Sequence, residues 1–90
     1  MSIEVNLMEK SIFTTEYGIF LSYLRSERKA AGLTQEEVAK VLQQTQSFIS
    51  KCERGERRID VVELFKFCQA IGISFSEFTQ QLETAIKQSD

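Results

Sequence analysis

Small and amide-bearing side chains cluster in one short stretch, at the spacing of a single helical face. Gln46 can pair with adenine through N6 and N7, and Lys51 can donate to O6 and N7 of guanine. Ser47 and Ser50 are short enough to let a helix enter a groove, and Thr45 can cap that helix while reaching a phosphate or a thymine methyl. These residues predict base contacts in the major groove of double-stranded DNA, the alternative being an ordinary solvated polar face.

Four further side chains flank this stretch and suit phosphate contacts. Gln35 falls in the first turn of a helix, where free amides and the positive end of the dipole favour an anion. Arg54, Arg57 and Arg58 surround a glycine turn on the other side, although exposed arginines are also common without any ligand. Contacts of this kind position a protein on DNA, whereas base contacts specify the sequence.

Two short helices, at residues 35–42 and 46–53, must position these groups. Only three residues separate the helices, so they have to cross steeply, as in a helix-turn-helix unit. The side chains expected in the core that they share are Val38, Ala39, Leu42, Ile49 and Cys52. Phe48 lies at the edge of the polar face, and we expect it to be partly buried rather than to lie against the DNA backbone.

The helix starts repeat one design. A capping side chain stands three residues before a glutamate, so each pair can satisfy two orphan amides reciprocally. The pairs are Thr34 with Glu37, Asp60 with Glu63 and Ser74 with Glu77. Glycines at positions 32, 55 and 72 fall where helices should end. Together these signals predict an all-α fold with helices at residues 15–31, 35–42, 46–53, 61–71 and 75–87.

The length suits a single small domain, which we place at residues 14–90. Residues 1–13 have no helical period, and residues 3–7 alternate like a short strand. We therefore expect an N-terminal arm that is flexible or contacts a dimer partner.

Arg28 continues the apolar stripe of the first helix, so its charge should face inward. A buried charge needs a partner, and Glu53 at the end of the third helix is the best candidate. The sequence thus predicts an Arg28–Glu53 ion pair that orients the first helix against the third.

A net negative charge argues against DNA binding, but the distribution of charge along the sequence partly answers this objection. The net charge is −2, but residues 25–58 hold eight basic and five acidic side chains. Phosphates respond to the local field of one face, because charges farther than about 8 Å are screened at physiological salt. The sequence alone leaves ordinary surface charge as the alternative.

Other classes of protein find little support. The absence of His excludes thiolate–imidazole zinc sites and Cys-His nucleophiles, and neither a paired-carboxylate pocket nor a phosphate-cradling glycine loop is evident. We therefore expect no enzyme, metal or cofactor. Cys52 and Cys68 are expected as buried reduced thiols, with a disulfide or redox switch as the alternative. Without a membrane span or signal peptide, we expect a cytoplasmic protein that is nucleoid-associated when bound to DNA.

Residues 21–78 resemble the Cro and phage-repressor family of helix-turn-helix regulators, often called Xre-type. The strongest matching strings are Gly32-Leu33-Thr34-Gln35-Glu36-Glu37-Val38-Ala39, Gln46-Ser47-Phe48-Ile49-Ser50-Lys51 and Glu53-Arg54-Gly55. The resemblance implies a compact five-helix, lambda-repressor-like domain that binds operator DNA, usually as a dimer. It also implies a phosphate contact for Gln35, recognition-helix contacts for Thr45, Gln46, Ser47, Ser50 and Lys51, and an interacting pair for Arg28 and Glu53.

Gln43 departs from the family pattern, because such proteins often have Gly at this turn position. This bulky residue must therefore adopt a positive φ, which costs about 1 kcal/mol at a non-glycine residue, or the turn must differ.

Two hypotheses about function follow. The first is a sequence-specific, homodimeric transcriptional regulator, expected to be a repressor, with its dimer surface on the last helix (Phe75, Phe78, Leu82 and Ile86) or on the N-terminal arm. The second is a protein-interaction module on the same scaffold, such as an antitoxin or an anti-repressor partner. A longer apolar face on residues 75–87 than the core needs would favour the second.

Overall fold

The computed structural model describes residues 14–89, and within them it contains five α-helices and no strand. The helices are α1 (Thr15–Ala30), α2 (Gln35–Leu42), α3 (Gln46–Glu53), α4 (Val61–Ile71) and α5 (Phe75–Gln88). The predicted all-α class is confirmed, and the predicted helix bounds agree with the structure to within one residue. The predicted arm at residues 1–13 lies outside the described residues.

Side-chain caps start each helix, which explains why the bounds could be predicted. Thr34 and Asp60 form complete capping boxes with Glu37 and Glu63. At the start of α5, the Ser74 hydroxyl accepts a bond from the Glu77 amide at 3.0 Å. Thr45 caps α3 as predicted, since its hydroxyl accepts from the Phe48 amide at 3.1 Å.

All five helices contribute to the core: α5 packs against α1 and α4 to form a base, and the two short helices pack on it through contacts of α2 with α4 and of α3 with α1. Leu24 and Phe78 are completely buried, and the rings of Phe20 and Phe78 meet edge to face at 6.3 Å. Edge-to-face pairs are a favourable arrangement of aromatic quadrupoles. This base supports α2 and α3 from one side and leaves their other side to solvent.

The helices α2 and α3 form the predicted helix-turn-helix. Val38 and Ile49 are fully buried between them, and Ala39 is 3% exposed, so the two backbones can approach closely. Gln43 turns the chain with φ 56° and ψ 44°, the left-handed conformation that its turn position demands. Of the two possibilities for this bulky residue, a positive φ or a different turn, the structure has the positive φ.

Both cysteines are free thiols that are buried in the core. Burial raises the pKa of the Cys68 thiol to about 11, because the low-dielectric interior disfavours the thiolate. Burial also raises the pKa of Cys52, although Arg57 nearby opposes the shift. As predicted, these side chains behave as small apolar residues.

None of the helices in the described part of the chain combines the length and the apolar character that crossing a lipid bilayer requires.

Candidate nucleic-acid interface

The outer face of α3 carries the side chains that the sequence analysis selected. Gln46, Ser47 and Lys51 are exposed, and so is the capping residue Thr45, whereas Ser50 is half-buried. The opposite face of α3 holds Ile49 and Cys52, which are both fully buried. The helix is thus divided lengthwise into an apolar side that fixes it and a polar side that solvent reaches.

A chain of hydrogen bonds connects this polar face to the interior. The Gln46 side-chain amide donates to Gln35 Oε1 at 2.6 Å. Gln35 in turn donates through Nε2 to Glu53 Oε1 at 2.9 Å. Because each amide nitrogen has two protons, Gln46 keeps one N–H and its carbonyl oxygen for a ligand, and Gln35 keeps one N–H. The network holds Gln46 in a defined orientation without using up its hydrogen-bonding groups.

This series of hydrogen bonds ends at the Arg28–Glu53 ion pair that the sequence predicted. Arg28 Nε lies 2.6 Å from Glu53 Oε2, and Arg28 Nη2 lies 3.0 Å from Glu53 Oε1. Arg28 is 7% exposed and Glu53 3%, and Arg28 Nη1 also donates to the Leu33 carbonyl at 2.8 Å. This bidentate pair joins α1 to the end of α3 and to the loop that precedes α2. Its benefit lies in fixed geometry more than in net stability.

Arg54 and Arg58, two of the three predicted phosphate contacts after α3, lie on the surface and contact neighbouring side chains. Arg54 pairs with Glu56 at 2.8 Å, and its guanidinium also donates to the Ser50 hydroxyl. Both members of the Arg54–Glu56 pair are more than half exposed, so the pair exchanges readily with solvent or another anion. The guanidinium of Arg58 stacks on the Tyr17 ring at 4.8 Å from its centroid.

Arg57, the third, is held much more firmly than the sequence indicated. It contacts both carboxylate oxygens of Glu63, at 3.0 and 2.7 Å, and donates to the Arg58 carbonyl at 2.9 Å. Its guanidinium also lies over the Phe48 ring, 4.7 Å from the centroid. Phe48 is half-buried, as predicted. Arg57 therefore ties the edge of α3 to the first turn of α4.

The electrostatics of this contact agree with the geometry. The hydrogen bonds from Arg57 lower the pKa of the Glu63 carboxyl, because they stabilise its charged form. The same bonds raise the pKa of Arg57. The charge of Arg57 is thus largely compensated within the protein.

An open groove lies along α2 and reaches the start of α3. Its lining includes Thr34, Glu36, Lys40, Gln44 and Gln46. The first amides of α2 have no acceptor within the helix, which suits an anion, but the exposed Glu36 carboxylate lies in the same turn. The carboxylate therefore disfavours an anion on the Glu36 side of this turn.

The structure brings Gln35 and Gln46 together, a link that sequence reasoning missed. A signal was present, because a Thr-Gln pair occurs at both helix starts, at residues 34–35 and 45–46. Each glutamine follows its capping threonine, so both occupy the first position of a helix. Two helices that start side by side then place the two amides in contact. Among the described residues, no group of His, Cys, Asp or Glu side chains is arranged to hold a metal ion.

The crossing of α2 and α3 over a three-helix base defines a helix-turn-helix domain. The family described as Helix-turn-helix matches residues 24–78, which is more than half of the chain. The chain belongs to this family, in its XRE-type branch. This chain is similar to the solved structure of an XRE-family like protein from Pseudomonas syringae pv. tomato, with 41% sequence identity and a TM-score of 0.77. That similarity covers 87% of this chain and 95% of the other.

A curated relative leads to the same family. An uncharacterised HTH-type transcriptional regulator from Sinorhizobium fredii, y4dJ, is 42% identical over 50 residues, or 56% of this chain. The match spans 65% of the length of that relative, slightly less than two thirds. The family is one of DNA-binding transcription regulators rather than enzymes.

Proposed function

We propose that this protein is a sequence-specific regulator of transcription that binds double-stranded DNA and reads the major groove with α3. One observation carries the proposal above the others: α3 has a polar outer face, and the amide of Gln46 on that face is held in place by Gln35. A contact residue whose orientation is fixed before binding loses less conformational entropy when it meets its base.

The free groups of Gln46 match adenine. Its carbonyl oxygen accepts from N6 of the base, and its second N–H donates to N7. Lys51, one helical turn and one residue farther along the same face, has three donors for O6 and N7 of guanine. Ser47 and Ser50 lie between them and are small enough for the helix to enter the groove, and Thr45 reaches the adjoining phosphate or a thymine methyl.

Phosphate contacts then anchor α3 from both ends. Gln35 has one uncommitted N–H beside the first amides of α2, and Arg54 and Arg58 extend from the segment after α3. Arg57 contributes less than Arg54, because its pair with Glu63 is less exposed than the pair of Arg54 with Glu56. These contacts fix the register of the domain on DNA, whereas the side chains of α3 distinguish sequences.

We propose further that the protein acts as a homodimer and a repressor. One recognition helix reads only a few base pairs, so useful specificity requires two half-sites about 34 Å apart. A domain that occupies DNA as a dimer blocks other proteins from the same site by occupancy alone, which supports repression as the mode of action.

The alternative, an antitoxin-like protein-interaction module, is less well supported. It would require an apolar face on α5 beyond what the core uses. Phe78 is completely buried, and Phe75 and Leu82 pack against the core of the same chain. Of the four residues expected on this face, α5 therefore leaves only the half-buried Phe75, Leu82 and Ile86 partly open to a protein partner.

Selection of binding sites from a pool of random duplexes tests the proposal. Wild-type protein is expected to enrich a sequence with two related half-sites, and its affinity should fall steeply as salt rises, because phosphate neutralisation releases counterions. Lys51→Ala is expected to relax the preference at a single base position. A protein that enriches no sequence and retains no duplex at low salt would contradict the proposal.

A further inference from the structure

The hydroxyl of Ser50, on the polar side of α3, has a charged hydrogen-bond donor beside it. Arg54 lies one helical turn farther on, and its Nη1 donates to the Ser50 hydroxyl oxygen. The Arg54 amide also donates to the Ser50 carbonyl at 3.0 Å, so the backbones of the two residues are fixed relative to each other. Glu56 accepts from Arg54 Nε at 2.8 Å and orients the guanidinium. One side of the Ser50 oxygen is thus occupied by a cation.

Ser47, three positions earlier on α3, differs from Ser50 although the residue type is the same. Within residues 14–89 its hydroxyl has no hydrogen-bond partner, and its side chain is exposed. A hydroxyl of this kind rotates freely, so it serves equally well as donor or acceptor. The contact with Arg54 therefore distinguishes the two serines chemically.

We infer that Arg54 makes Ser50 a hydrogen-bond donor to the bases, so that the protein favours guanine or thymine over cytosine where Ser50 meets DNA. This inference rests on the proposed function and adds a specificity-determining pair to it. Because the guanidinium proton occupies one lone pair of the Ser50 oxygen, the hydroxyl proton is directed elsewhere. The charge-assisted bond also polarises the O–H group, which strengthens its donation to a further acceptor.

The edges of the bases in the major groove respond differently to such a donor. Guanine presents N7 and O6 and thymine presents O4, which are all acceptors, whereas cytosine presents the N4 amino donor. An amino group at this position meets an oxygen that already accepts from a cation, and it loses a hydrogen bond that water would provide. Adenine presents one acceptor and one donor, so its affinity should lie between these extremes.

Arg54 can hold Ser50 and a phosphate at the same time. Its side-chain contacts with Ser50 and Glu56 use two of the five N–H groups of a guanidinium. A phosphate that replaces Glu56 therefore leaves Nη1 on the hydroxyl. Lysine has the same charge but lacks the planar fork, so its ammonium group on a phosphate no longer holds Ser50. Arg54 is thus a positioning residue for Ser50 in addition to a phosphate contact.

The experiment measures the affinities of Ser50→Ala, Arg54→Lys and Arg58→Lys for single-base variants of the selected duplex. Wild type should prefer guanine or thymine to cytosine about tenfold at the base that Ser50→Ala identifies. Arg54→Lys should lose this preference but keep the salt dependence of wild type and the preference at the base that Gln46→Ala identifies. Arg58→Lys is the matched control and should keep all three properties. Thermal melting verifies that the variants fold.

A double-mutant cycle tests whether Ser50 and Arg54 act together. The variant that combines Ser50→Ala with Arg54→Lys should lose no more base preference than Ser50→Ala alone. The combination of Ser47→Ala with Arg54→Lys is the control cycle, and its effects should add.

Four results would overturn the inference while enrichment of a duplex by wild type preserves the proposed function. They are full base preference in Arg54→Lys, additive losses in the Ser50 cycle, a preference for cytosine at the Ser50 position, and no base affected by Ser50→Ala. A wild-type protein that retains no duplex would overturn the proposed function, and this inference with it.

Discussion

The side-chain amide of Gln46 donates to Gln35 across 2.6 Å, and each of the two residues is the first of its helix. The contact links the start of the recognition helix to the start of the helix before it. Since Gln35 is itself held by Glu53, the orientation of an exposed side chain is set by a buried carboxylate.

Replacement of either glutamine should therefore affect the same base pair. Gln46→Ala is expected to reduce discrimination at one A·T pair by about 1–3 kcal/mol. Gln35→Ala should weaken discrimination at that same pair, because Gln46 loses the group that orients it, and the double variant should lose less than the sum. Fluorescence anisotropy with single-base variants of the selected duplex measures these effects. Gln80→Ala on α5 is the control, and full discrimination in Gln35→Ala would refute the coupling.

The buried Arg28–Glu53 ion pair should affect the free energy of unfolding most when only one of its partners is removed. Arg28→Ala or Glu53→Ala leaves an uncompensated buried charge, so each is expected to lower the free energy of unfolding by about 3–5 kcal/mol. Removal of both should cost clearly less than the sum, because no charge is then left alone. Urea denaturation of the two single variants and the double variant measures the coupling energy. Additive losses would show that the pair has no energetic role.

Arg54 and Arg57, two of the three arginines after α3, should differ in their effect on salt dependence. Each phosphate contact that is lost should reduce the slope of log K against log salt by about 0.9. We expect this full reduction in Arg54→Ala, because its exposed partner Glu56 holds it weakly. Arg57→Ala should change the slope less and lower the melting temperature more, since Arg57 joins α3 to α4. Lys87→Ala on α5 is the control, and equal slopes for the two arginine variants would contradict the distinction.

Glu63 should make stability depend on pH in the acid range. Its folded-state pKa is lowered below 4.5 by the hydrogen bonds from Arg57. A lowered carboxyl pKa stabilises the fold above the unfolded-state value, and this stabilisation is lost as pH falls through the folded-state value. We therefore expect the melting temperature to fall below about pH 4.5, and Glu63→Gln to reduce this dependence while its side chain still accepts from the Asp60 amide.

The matched control for this pH series is Glu83→Gln, in an exposed pair with Lys87 on α5. It should follow the wild-type curve, because exposed helical pairs contribute little. If Glu63→Gln and wild type lose stability in parallel on acidification, the contact with Arg57 does not carry the effect.

Local signals made most of this fold predictable from the sequence. The caps at Thr34, Asp60 and Ser74 fixed helix starts because each involves residues only three positions apart. The Arg28–Glu53 pair could be predicted because a charge on an apolar stripe requires a buried partner.

Contacts that depend on the path of a loop were not predictable in this way. Arg57 was assigned to phosphate because nothing local shows that the loop after α3 returns it to Glu63. Of the four α5 residues predicted as one possible dimer surface, Phe78 is completely buried in the core. The exposure of Val61, Val62 and Phe65 was not predictable either, because α4 carries apolar residues on both sides and periodicity cannot then separate the core side from the exposed side.

The backbone conformation of Gln43 leads to a prediction about folding stability that is independent of DNA binding. Its φ of 56° is the only positive φ at a non-glycine residue in the described range 14–89. Gln43→Gly should remove backbone strain and raise the free energy of unfolding by about 0.5–1 kcal/mol, even though glycine makes the unfolded chain more flexible. Gln44→Gly at the next position adds the same flexibility without relieving a positive φ, so it should destabilise. Urea denaturation distinguishes the two, and equal losses in both variants would show that the turn is not strained at Gln43.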